Sequence, residues 1–223
     1  MLVERAHPAR AGLIGARRRC LLRETARGFK VAEAEGTFSR ARVEAFSDGV
    51  IAVIITIMVL DLKAPASAAP QALAALWPAF VIYVVSFAFV AIYWINHHAL
   101  FTLAKSVDAG LIWANNLLLM CLSLIPFATA YVAETDLAPF PTAVYGALQF
   151  ACGASYFLCF EAIARARRAD AGYAPIAKGQ RRKNVFSLAV YAVATALALV
   201  SPFAAIGLFA LIGLLYVVPT LFR

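Results

Sequence analysis

Hydrophobic positions come in helix-length blocks, separated by short polar breaks, with no sustained alternation at period two. The blocks fall at about residues 43–62, 73–100, 107–133, 142–164, 185–200 and 203–221. Runs this long and this apolar predict membrane-spanning helices. The breaks have distinct characters. Lys63 to Pro70 is rich in Pro and Ala, Glu134 to Pro141 is acidic and proline-rich, Arg165 to Lys183 is basic, and Ser201-Pro202 makes a hairpin. The expected fold class is an all-α membrane protein with six transmembrane helices per subunit.

The first block, RVEAFSDGVIAVIITIMVLDL over residues 42–62, differs from an ordinary lipid anchor. It opens with Arg42, Glu44 and Asp48, then runs from Gly49 to Leu60 with Thr56 as its single polar residue. At about 100° per residue, Ala45, Gly49, Ala52, Val53, Thr56 and Leu60 share one small face. Ile51, Ile54, Ile55 and Met58 form the opposite, bulky aliphatic face. Small faces let membrane helices approach closely. Two readings follow: a helix packed tightly against its neighbours, or a helix repeated around a symmetry axis with the small face lining a narrow path.

Composition sharpens the class. The chain is 63% hydrophobic with mean hydropathy +0.81, beyond what a soluble domain uses. The net charge of +8 reads as topology, not as a nucleic-acid surface, because of where it lies. Ten of the twenty Lys and Arg fall in residues 1–42 and seven more between Arg165 and Lys183. With both termini inside, every Lys and Arg except Lys63 is cytoplasmic and the acidic break is outside, as the positive-inside rule requires. Two regions result: residues 1–40, a basic, flexible or surface-bound cytoplasmic extension, and residues 41–223, a six-span domain.

The candidate chemistry gathers at one end. Arg42, Ser47 and Asp48 open span 1. Span 2 descends to the same side and ends at Trp94, Asn96, His97 and His98. Span 3 starts there with Asp108, Asn115 and Asn116. Charges near a span call for partners or water, so a hydrogen-bonded network is expected at this depth, with Arg42 and Asp48 as its ionic centre. Trp94 fits either that network or an interfacial aromatic belt. Metal binding by His97-His98 is disfavoured because adjacent helical residues point about 100° apart. A Ser47-His97-Asp48 triad lacks a nucleophile elbow. Cys20, Cys121, Cys152 and Cys159 show no metal spacing and no disulfide framework. Neither an enzyme nor a cofactor is expected. A secondary transporter would place titratable groups at mid-membrane, and here the acids lie at the span ends; a proton leak or a non-conducting scaffold stays open beside it. No glycine-rich re-entrant filter segment is visible, so any ion selectivity must come from side chains.

These residues carry a resemblance. Arg42-x-x-x-Phe46-Ser47-Asp48 followed by Gly-Val and an Ile-rich helix resembles the signature of the transmembrane protein 175 potassium channels. The Trp94-x-x-His97 ending of span 2 and the Asn…Pro126-Phe127 pattern of span 3 are similar to further family features. The resemblance covers about residues 41–221. It implies a potassium-permeable cation channel in the bacterial inner membrane, built as a homotetramer, with span 1 of each subunit lining a central pore. It also implies constriction layers at Val53, Thr56 and Leu60, and a supporting network of Arg42, Phe46, Ser47, Asp48, Trp94, His97 and either Asn115 or Asn116. Potassium would be the permeant ion and no metal is implied. Family members more often carry leucine or isoleucine at the position of Val53, and valine there implies a wider ring.

Overall fold

The computed structural model describes residues 38–221, all of whose regular elements are helical. Expectations for residues 1–37, Cys20 among them, lie outside the described residues. The helices are α1 (Arg40–Leu60), α2 (Pro70–Ala74), α3 (Trp77–Thr102), α4 (Ala109–Ser123), α5 (Ile125–Glu134), α6 (Pro139–Ala166), α7 (Ala174–Ala198) and α8 (Pro202–Leu221). Four helical stretches are long and apolar enough to cross a membrane: Arg40–Leu60, Trp77–Thr102, Ala109–Glu134 and Pro139–Ala166. Pro202–Tyr216 is a shorter apolar helix.

Proline sets many of the starts. It occupies the first or second helical position of α2, α3, α5, α6 and α7, where its missing N–H deprives the helix of nothing. This explains two departures from the predicted blocks. The block from Leu73 is divided, because Pro78 opens α3 after the separate turn of α2. The third block breaks at Leu124, two residues before Pro126, giving α4 and α5. A third departure is α7. The basic segment Lys178–Lys183, expected as loop, is helical; Lys, Arg and Gln are good helix formers, and these charged side chains stay exposed. Asp108 caps α4, its carboxylate accepting from the Leu111 amide at 2.8 Å.

Two apolar clusters hold the bundle. One joins α1, α3, α4 and α6 through Ile51, Ile54, Met58, Val90, Leu118, Leu122 and Phe160. The other joins α3, α5, α6, α7 and α8 through Ile82, Phe89, Tyr145, Tyr191 and Phe209. α6 belongs to both. It approaches α7 closely at Gly146, where an added Cβ would lie 2.6 Å from Thr195 Oγ1 and 2.9 Å from Phe209 Cζ. Only a residue without a side chain fits there.

Polar ties mark the two ends of the bundle. At one, Lys63 pairs with Glu134, joining the α1–α2 connection to the end of α5. At the other, Asp170 accepts from Arg167 Nη2 at 2.8 Å and from Lys105 Nζ at 3.3 Å, while Arg167 Nη1 donates to the Leu103 carbonyl at 3.1 Å. The Arg167 guanidinium foremost, then Lys105, holds the Asp170 carboxyl down at about 2. A carboxylate whose folded-state value is depressed stabilises the fold above its unfolded value and loses that contribution as pH falls through the folded one. Wild type and an Asp170→Asn variant are therefore expected to differ in thermal midpoint by a constant gap at pH 5–7. That gap should close between about pH 4 and pH 2. A gap independent of pH over that interval would remove the ion pair as its cause.

Candidate functional site

The site is built on α1, whose two faces have opposite fates. Ser47, Ile51, Ile54 and Met58 are buried against the bundle. Ala45, Phe46, Gly49, Ala52, Val53, Thr56 and Leu60 are exposed, Val53 at 54% and Leu60 at 77%. A Cβ added at Gly49 would meet nothing within 4 Å. α1 thus packs by its bulky aliphatic face, and none of the described residues covers its small face. The Thr56 hydroxyl donates to the Val53 carbonyl at 2.9 Å. With its proton committed to its own helix, the oxygen presents lone pairs to whatever lies outside. An open groove runs along this helix, lined by Ala45, Gly49, Val53, Ile57, Ser123 and Pro126.

At the charged end of α1, consecutive residues grip different neighbours because each step turns by about 100°. Ser47 faces inward. Its hydroxyl donates to the Val43 carbonyl at 2.9 Å and accepts from Asn115 Nδ2 at 3.0 Å. Asn115 Oδ1 lies 2.8 Å from His97 Nε2. An amide oxygen only accepts, so that imidazole nitrogen carries the proton. Ser47, Asn115 and His97 are all at most 1% exposed. The His97 ring stacks on Phe101 with centroids 4.3 Å apart. The chain Ser47–Asn115–His97 thus ties α1 to α4 and α3 in a region without water, where a satisfied polar network specifies one arrangement. Asp48, one step round the helix, sits at the rim and accepts from the Trp94 indole N–H at 2.9 Å.

The structure chooses among the sequence candidates. Asn115 is inside the network, while Asn116 is half-buried with its side chain in none of these bonds. Trp94 is a hydrogen-bond partner as well as an exposed aromatic. Phe46 is 59% exposed and takes no part in the bonded chain. His98 points outward, away from His97. The expected Arg42–Asp48 ionic centre is not formed. Six residues at about 100° each place these two roughly 240° apart on the helix. Arg42 is exposed, and the ion pair of this turn is Arg40 with Glu44 at 3.4 Å, four residues apart. A second buried polar cluster had no signal beyond isolated polar residues within apolar spans. Thr129 donates to Ser86, Ser86 donates to Tyr145 Oη, and Gln149 donates to the same oxygen, across α5, α3 and α6. Among the described residues, no three or more His, Cys, Asp or Glu side chains assemble as metal ligands. Cys121, Cys152 and Cys159 are buried and form no disulfide with one another.

An apolar helical bundle with spanning helices, and a first helix bonded at one end and open along its small face, defines the class: a multi-pass membrane protein. The chain belongs to the TMEM175 family. The model of that family, described as the endosomal/lysosomal potassium channel TMEM175, matches residues 42–126. The chain is 37% identical over 181 residues to "Potassium channel HX13_20290" of Chryseobacterium sp. (strain P1-3), covering 81% of this chain and 94% of that one. It is 34% identical over 102 residues to the human "Endosomal/lysosomal proton channel TMEM175", covering 40% of this chain and 20% of that one. Its fold is similar to the crystal structure of a lysosomal potassium-selective channel TMEM175 homolog from Chamaesiphon minutus. The TM-score is 0.73 at 28% identity, over 81% of this chain and 97% of that one. The family is one of ion channels, not enzymes.

Proposed function

We propose that this protein is one subunit of a potassium-permeable cation channel that crosses the bacterial inner membrane six times, with both termini cytoplasmic. In this reading four copies assemble and their α1 helices surround the pathway. The observation that carries it is the two-sidedness of α1. A stripe meant for lipid is well served by long aliphatic side chains, yet α1 buries Ile51, Ile54 and Met58 and leaves the small residues Gly49, Ala52, Val53 and Thr56 exposed, with Ile57, Val59 and Leu60 exposed beside them. A single chain supplies one such face, and several copies around an axis would cover it with each other. The relatives' names support potassium as the permeant ion, and the six apolar blocks together with the basic breaks support six spans.

Val53 and Leu60 act as apolar layers and Thr56 as a ring of hydroxyl oxygens between them. Val53 and Leu60 are seven residues apart, about 10.5 Å along the axis. Apolar layers exclude water and gate by dewetting. An ion crossing them must shed part of its shell, which potassium does more readily than sodium, and the Thr56 oxygens accept it midway. Valine at the first layer leaves a wider ring than leucine or isoleucine, which predicts weaker discrimination.

The test is a reversal potential on the purified protein in planar bilayers, with potassium set against sodium. Reversal toward the potassium equilibrium potential is expected. Folded, oriented protein that passes no current would overturn the reading. The name of the human relative favours a second conductance, for protons; a pH gradient across the same bilayer, with no alkali cation present, separates it.

A further inference from the structure

Between the end of α6 and the start of α7 the chain folds into a groove that the permeation pathway does not use. It is lined by the basic residues Arg165, Arg167, Arg168, Lys178 and Arg181, against two acids, Glu161 and Asp170. Both acids are already engaged. Glu161 accepts from Arg181 Nε at 2.7 Å and Nη2 at 2.9 Å. Asp170 is held by Arg167 and Lys105. Arg165, Arg168 and Lys178 pair with no carboxylate among the described residues and are exposed.

Two further observations point to a missing acceptor. The Arg167 guanidinium lies over the Tyr173 ring, 4.2 Å from its centroid. Its two terminal nitrogens are used, by Leu103 and Asp170, but its Nε–H is buried without a partner among the described residues, and so is the Tyr173 hydroxyl. Tyr173 is only 2% exposed. Buried donors without acceptors are rare because each forfeits its hydration. Moreover, Tyr173 is the N-cap of α7 and caps nothing with its side chain, and no acid occupies the helix's first turn. The positive end of that helix is therefore unmatched.

We propose that this groove binds a phosphate group, that of an anionic phospholipid headgroup, through Arg165, Arg168 and Lys178. Tyr173 and the Arg167 Nε–H stand at its inner wall. The location favours a headgroup over a free anion. Here α6 ends its apolar run and α7, after Lys183, begins one, which is headgroup depth. Basic side chains near a membrane surface attract anionic lipid. Ala164 and Ala177 add an apolar part to the lining, suited to the glycerol end of the acyl chains.

The test uses the full chain in an uncharged detergent, reading the thermal midpoint as dioctanoyl-phosphatidylglycerol is added. A saturable rise is expected. Each basic contact near the surface is worth about 1 kcal/mol, or roughly fivefold in affinity. R165Q/R168Q/K178Q is therefore expected to bind on the order of a hundredfold more weakly. Lys63→Gln, at the opposite end of the bundle, should leave the curve unchanged. The basic residues before α1 are present in every variant, so their attraction cancels. Tyr173→Phe is expected to be as stable as wild type without lipid and to lose part of the lipid-induced rise, which a merely structural tyrosine would not do. It also keeps the proposal testable if the triple variant does not fold. A triple variant with the wild-type curve, or an equal rise with dioctanoyl-phosphatidylcholine, would overturn the site. Saturation by inorganic phosphate at the lipid's concentration would overturn the headgroup and assign a free anion.

Discussion

Replacing Asn115 with leucine is expected to lower the stability of the protein by roughly 2–5 kcal/mol. The leucine is of similar volume, so the loss is not a cavity effect. It removes two bonds at once, from Nδ2 to Ser47 Oγ and from His97 Nε2 to Oδ1. His97 Nε2–H is left without its acceptor where no water reaches it. Each orphaned group costs about 1–3 kcal/mol. Ser47 still donates to the Val43 carbonyl, so its hydroxyl proton is not orphaned, which keeps the estimate below the sum for three groups. Asn116→Ala, half-buried and outside the bonded chain, should change stability by no more than about 0.5 kcal/mol. Thermal unfolding in detergent reads both. Equal losses for the two asparagines would dissolve the network as an energetic unit. Because the same bonds seat the charged end of α1, Asn115→Leu should also reduce current in variants that still assemble.

The second large effect concerns neighbours on one helix. Val53→Asn is expected to leave the subunit's stability nearly unchanged, since Val53 is 54% exposed. It should at the same time raise current and move the reversal potential toward zero. A roughly tenfold loss of discrimination corresponds to a barrier change of about 1.4 kcal/mol, a modest demand on one ring of polar groups. Ile54→Asn, one step round the helix, should do the reverse. Ile54 is 3% exposed and belongs to the cluster joining α1 to α3, α4 and α6. An amide there is buried without partners, and unfolding, not altered selectivity, is the expected result. Reversal potentials and thermal midpoints on the same preparations separate the cases. A Val53→Asn channel with wild-type reversal and current would remove that residue from the pathway.

The reach of the sequence follows from the kind of information each feature needs. The helical class, the spanning length of the first four blocks and the two faces of α1 are one-dimensional properties. Block length against bilayer thickness and a turn of about 100° per residue require no knowledge of neighbours. Hence the division between Ile51, Ile54 and Met58 on one side and Val53, Thr56 and Leu60 on the other was legible before any fold was known. The Phe46-Ser47-Asp48 motif with Trp94 and His97 was legible for the same reason, since each sits at a span end that topology brings to one side.

What only the tertiary structure decided is pairing. Asn115 and Asn116 are equivalent as residue types, and the rotation of α4 against α1 and α3 makes one of them the bridge. Asp48 meets the Trp94 indole and not Arg42, because helical phase turns Arg42 away while α3 delivers a donor to the rim. The buried Ser86–Thr129–Tyr145–Gln149 cluster and the Gly146 approach depend on the packing of separate helices. So does the basic groove, in which two buried donors stand beside arginines that pair with no carboxylate among the described residues. Most of these contacts join residues on different helices, and their geometry is set by how whole helices pack, which no local pattern of residues encodes.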